Sequence, residues 1–200
     1  MTKIKDIENL ISNIPNGQAF VISDFTDNFE YRTIQKSLER LADSGKIRRI
    51  MRGVYDKPYY SEILQAYSAP SIYEVAKAIA RNYNWNIVPS GVHALNMLGL
   101  STQVPYTCEF VSDGPYRNYN VYGNKIIFYH KNNKEINGLS FKSALVIQAI
   151  RALGKENITK KEKRILSSML SDDEKKVLLS EAKFTTTWIY SIIKQICTEE

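Results

Sequence analysis

Arg32, Gln35, Lys36 and Arg40 fall within one short stretch, with Tyr31 and Thr33 beside them. At 100° per residue, a helix over residues 29–44 puts Arg32, Gln35, Lys36, Glu39 and Arg40 on one face. Ile34, Leu38, Leu41 and Ala42 take the other, and Gly45 follows as a C-terminal cap. A guanidinium offers two parallel donors, and a primary amide offers a donor beside an acceptor. These shapes match the edges of guanine and adenine. Lysines and arginines at the flanks can pair with phosphates and release counterions.

Charge on a helix is most often a solvated face, so this stripe alone decides little. A second cluster follows it. Lys46, Arg48, Arg49 and Arg52 sit in an alternating basic and apolar run with Gly53 near its middle. Such a run predicts a β-hairpin turning at Arg52-Gly53, with a cationic tip. Neighbouring cations repel one another unless an anion is present, and no core is expected to need these arginines. The net charge of +6 is modest, but it is unevenly spread. Residues 1–30 carry two basic and five acidic residues, and residues 31–57 carry eight basic and three acidic ones. One short segment therefore has the footprint of a phosphate-contacting surface.

Other chemistries find little support. The chain has no GxGxxG, Walker A, HExxH or GxSxG motif. His93 and His130 are scattered, and Cys108 and Cys197 lie far apart. No metal site, disulfide or cofactor is expected. His93, beside Ala94 and Leu95, reads as a packed histidine. Glu181-Ala182-Lys183 has no acidic strand before it to complete a nuclease-type metal site. An enzyme acting through Asp113 or Arg117 is the remotest alternative. Tyr73, Tyr83, Trp85, Tyr106, Tyr116, Tyr119, Tyr122 and Tyr129 are either a groove or aromatics packed on a sheet; packing is the simpler reading.

These residues need elements to hold them. Ile4, Ile7, Ile11 and Ile14 form a helical stripe stopped by Pro15-Asn16-Gly17. Ala19-Phe20-Val21-Ile22 is a short strand, and Ser23 or Asp24 can cap a short helix. The order is then helix, strand, short helix, amphipathic helix and basic hairpin, which is that of a winged helix-turn-helix over residues 1–60. Residues 57–70 read as a connection, partly helical around 61–67. Residues 70–200 read as an α+β domain. Its helices cover about 71–83, 90–98 and 140–153, and its strands about 85–88, 107–111, 119–122 and 125–129. A helical tail begins near 140, with capping boxes at Thr159 and Ser171 and a last helix over 184–196. No apolar leader opens the chain and no run approaches a membrane span, so a cytoplasmic protein without membrane partners is expected.

Two stretches carry a resemblance. Leu38-Glu39-Arg40-Leu41 to Gly45-Lys46-Ile47, with Arg52-Gly53-Val54-Tyr55 and Lys57-Pro58, resembles the winged-helix end of AbiEi-type antitoxins of type IV toxin–antitoxin, abortive-infection systems. Pro89-Ser90-Gly91, Ala94-Leu95-Asn96, the run from Leu98 to Pro105 and Asp113-Gly114-Pro115 resemble the second domain of a related bacterial family. The resemblance covers about residues 1–130. It implies a bacterial transcriptional autorepressor that binds double-stranded promoter DNA through residues 31–40 and 46–52. It also implies functional pairing with a nucleotidyltransferase-like toxin that the antitoxin need not touch. Homodimers on paired half-sites and monomers on repeats both stay open. The competing reading is a protein–protein module that uses the winged helix and the aromatic second domain.

Overall fold

The computed structural model describes residues 3–131 and 136–198; of Lys3 and Ile4 only the backbone is described. The fold is α+β with small sheets. The chain divides into two units, one within residues 1–85 with 120–124, the other within 86–119 and 125–200. Among the described residues no helix is long and apolar enough to cross a membrane.

In the first unit, α1 (Lys3–Ser12) buries Ile7 and Ile11. Its C-terminal carbonyls find a partner far along the chain, because Lys57 Nζ donates to Ser12 O at 2.6 Å and Ile14 O at 3.0 Å. Strand β1 (Ala19–Val21) follows, then a 3-10 turn over Ile22–Phe25. Neither Ser23 nor Asp24 caps that turn from its front. Asp24 reaches back instead, and its Oδ2 accepts from Val21 N–H at 3.0 Å. Helix α2 (Tyr31–Asp43) buries Ile34, Ser37, Leu38 and Leu41 and ends where Gly45 takes φ +73. Strands β2 (Arg48–Met51) and β3 (Val54–Asp56) form the expected hairpin, with Gly53 at φ +78. The sheet order is β1-β3-β2, antiparallel throughout, with a register shift between Arg49 and Met51. Its core joins Ile7, Phe20, Phe25, Ile34, Leu38, Ile47 and Tyr55.

Residues 57–70 are not helical. They form a second hairpin, β4 (Tyr60–Ser61) with β5 (Ala66–Tyr67), closed at its base by Ser68 N–H donating to Tyr59 O at 2.7 Å. The contacts divide the chain after Trp85 rather than between 60 and 70. Helix α3 (Ile72–Tyr83) packs on β1. Arg81 fixes it there, with Nε and Nη2 donating to Asp24 and Nη2 also to Ala19 O.

The second unit is built on a four-stranded sheet in the order β6-β7-β9-β8: β6 (Ile87–Pro89), β7 (Thr107–Ser112), β8 (Arg117–Val121) and β9 (Asn124–His130). Strands β7 and β9 are parallel, with Phe110 opposite Phe128. The short helix α4 (Gly91–Met97) lies between β6 and β7 in sequence and packs on α5 (Phe141–Leu153), in which every residue from Ser143 to Ile150 is buried. A helix apolar on all sides must be enclosed. Here α4, α6 (Lys160–Ser168), α7 (Asp172–Glu181) and α8 (Thr187–Thr198) contribute to the same core. The boxes at Thr159 and Ser171 cap α6 and α7 as their spacing predicts.

Candidate nucleic-acid interface

The apolar stripe of α2 faces the first unit's core, which turns the opposite face outward. Arg32, Gln35, Lys36 and Arg40 are all exposed, Tyr31 is 59% exposed and Thr33 is half-buried. Gln35 is engaged within the helix, its Nε2 donating to Glu39 Oε1 at 3.0 Å. The hairpin presents Lys46, Arg49 and Arg52, each exposed. Helix face and hairpin converge on one buried group, the Tyr55 phenol. Burial pushes its pKa up; the Arg49 charge pulls it back, while Glu39 and Tyr31 add to the rise. Arg49 stands opposite Tyr55 in the strand register.

Arg48 behaves differently from its neighbours. Its Nε and Nη2 donate to the two carboxylate oxygens of Asp56 at 3.0 and 2.5 Å, and its Nη1 donates to Ser68 O at 2.8 Å. Its guanidinium carbon also lies 5.5 Å from the ring centre of Tyr122, which belongs to the segment counted with this unit. The expectation that no part of the fold needs Arg48 is therefore corrected. It pairs a carboxylate that is 1% exposed and ties the base of the second hairpin to β2. Among the described residues, no carboxylate lies within salt-bridge distance of Arg32, Lys36, Arg40, Lys46, Arg49 or Arg52.

The second hairpin gave no signal in sequence. Its loop, Glu62-Ile63-Leu64-Gln65, lacks glycine and asparagine, and Gln65 itself takes φ +49. It leaves Ile63 93% and Leu64 76% exposed.

Over residues 6–178 the chain matches a family described as a family of unknown function, DUF6088. The chain belongs to that family. No curated protein matches it. The match in this DUF6088 chain runs from within α1 into α7, so it takes in the exposed face of α2, the basic hairpin and the sheet of the second unit.

In the second unit of this DUF6088 protein, Asp113 and Glu181 are engaged in hydrogen bonds to neighbouring elements. Asp113 accepts from the backbone N–H and the side-chain amide of Asn86, both at 2.8 Å. Glu181 caps α5, its Oε2 accepting from Ser140 N–H at 3.0 Å and Ser140 Oγ at 2.9 Å. His93 meets Phe110 edge-on with ring centres 5.5 Å apart, and burial lowers its pKa. Burial raises both thiols, Cys108 and Cys197. Among the described residues no group of three His, Cys, Asp or Glu is placed to share a metal ion. Within each unit the aromatics meet in local pairs. Tyr83 stacks on Trp85, Tyr119 meets Phe128, and Tyr116 meets Tyr129.

Proposed function

We propose that the first unit is a winged helix-turn-helix that binds double-stranded DNA, with α2 as the recognition helix and the β2–β3 hairpin as the wing. The protein is then a non-enzymatic repressor of its own promoter. Its role as the antitoxin of a type IV system, paired with a nucleotidyltransferase-like toxin it need not contact, follows from the AbiEi resemblance. The observation that carries the reading is the contrast among the cations. Arg48 and Arg81 are each clamped by an aspartate, whereas Arg32, Lys36, Arg40, Lys46, Arg49 and Arg52 are exposed without an acidic partner among the described residues. Unpaired cations side by side raise the local potential and lose that cost when phosphates arrive.

In this arrangement Arg32 and Gln35, with Tyr31 and Thr33 near the helix start, face base edges. Lys36, Arg40, Lys46, Arg49 and Arg52 contact the backbone. Arg48 contributes indirectly, by holding the hairpin. The test is a mobility-shift titration of the full protein against its upstream region and against scrambled DNA of equal length. Preference for the upstream region, weakening steeply with salt, supports the reading; equal retention of both duplexes overturns the specific repressor.

One observation favours a second reading, a protein-interaction module. Ile63 and Leu64 form an exposed apolar tip flanked by Tyr60 and Tyr67. Exposed apolar patches on soluble proteins often mark contact sites. Salt-insensitive, DNA-free association lost on Ile63→Ser with Leu64→Ser would favour it.

A further inference from the structure

The second unit contains a cavity of about 410 Å³ bordered by β7, β9 and the C-terminal half of α5. Gln148 of α5 lines it, is 2% exposed, and its Nε2 has no hydrogen-bond partner among the described residues. A buried amide donor left unmet is unfavourable, and its natural remedy is a ligand acceptor. Glu109 of β7 also lines the cavity. Its Oε1 accepts from Tyr129 O–H at 3.3 Å, while its Oε2 would sit 2.8 Å from a Cβ placed on Gly91. Gly91 has φ +56, so glycine both permits that backbone and leaves room for the carboxylate. Tyr116 and Tyr129 supply aromatic surface, with ring centres 5.9 Å apart and planes inclined at 58°. Lys131, half-buried at the end of β9, adds a cation to the lining.

Each wall selects a different part of one ligand. A primary amide and a carboxylate lining one cavity match a heterocycle edge that carries a ring acceptor and an amine. Aromatic rings accept the face of any base. A lysine provides a point charge for an anion. The volume is that of a small-molecule site rather than of a duplex. We propose that this cavity binds a nucleobase carrying a phosphate, with the base against Tyr116 and Tyr129, its edge on Gln148 and Glu109, and the phosphate on Lys131. The source is a free mononucleotide or the end of a single strand. The site belongs to the second unit and is separate from the duplex-binding reading of α2 and the hairpin.

The full protein should be titrated calorimetrically with AMP, GMP, CMP and UMP, and with a 5′-phosphorylated trinucleotide. At least one should bind with Kd below about 1 mM and perturb tyrosine fluorescence. Gln148→Leu and Glu109→Gln should each weaken that binding by about 10-fold or more, the loss expected when a charged or buried hydrogen bond is removed. Without ligand, Gln148→Leu should melt no lower than the parent protein, since it removes an unmet donor. Binding by the mononucleotides supports a free ligand; binding by the trinucleotide alone supports a strand end. No heat from any of the five ligands at about 5 mM, or binding unchanged in both variants, overturns the proposal. Because the readout is nucleotide binding and not promoter retention, either reading can fail while the other stands.

Discussion

Arg48 and Asp56 face each other across the β2–β3 hairpin and share two hydrogen bonds, Nε to Oδ1 and Nη2 to Oδ2. The aspartate is 1% exposed and the arginine side chain 21% exposed. Removing the arginine strands a buried carboxylate, which typically costs about 3 kcal/mol or more. The adjacent Arg49 has no such partner among the described residues. Arg48→Ala should therefore lower the urea midpoint strongly, whereas Arg49→Ala should change stability by less than about 0.5 kcal/mol. Equal midpoints for the two variants would contradict the assigned role of the pair.

The exposed arginines should separate into two classes in DNA binding. Arg49→Ala and Arg52→Ala should weaken binding to every sequence and flatten the salt dependence by about one unit of log–log slope each. Arg32→Ala should cost about 1–3 kcal/mol on the preferred site and little on random DNA. Fluorescence anisotropy at a series of salt concentrations measures both effects.

Gln35 and Glu39 make a further prediction. The amide donates to the carboxylate one helical turn away, so a base-reading Gln35 must first leave it. On the proposed DNA-binding reading, Glu39 also places a negative charge on the face that would meet phosphates. Glu39→Ala should tighten DNA binding and broaden sequence preference, because it frees the amide and removes a repulsive charge. Weaker binding by this variant would argue that Glu39 positions Gln35 productively.

His93 sets a pH dependence. Burial holds its folded pKa below the ordinary 6.5, since it disfavours the charged ring. Below pH 6.5 the unfolded chain takes up a proton that the folded chain resists. Stability linked to this group is therefore full above pH 6.5 and falls as pH drops toward the folded pKa. Urea midpoints measured from pH 7 to 5 should decline less steeply in His93→Phe, which keeps a ring against Phe110.

Much of the architecture was legible because its signals are local. The first helix with Ile7 and Ile11 on its buried side, the Arg52-Gly53 turn and the Thr159 and Ser171 boxes each act within a few residues, and each forms as its spacing predicts. The second hairpin was illegible for the same reason: no turn residue marks it, and its base is held by Arg48, twenty positions away.

Sequence alone determined which residues of α2 point outward, because a 3.6-residue period fixes the faces once one side is apolar. It also determined where the charge is concentrated. Only tertiary structure decided which cations are committed. Arg48 and Arg49 are adjacent and chemically identical, yet strand alternation sends one to Asp56 and leaves the other exposed. It likewise decided that Asp113 and Glu181 serve Asn86 and Ser140, and that Gln148 is buried with its amide nitrogen unmatched among the described residues. Such pairings join residues tens of positions apart, and periodicity carries no information about them.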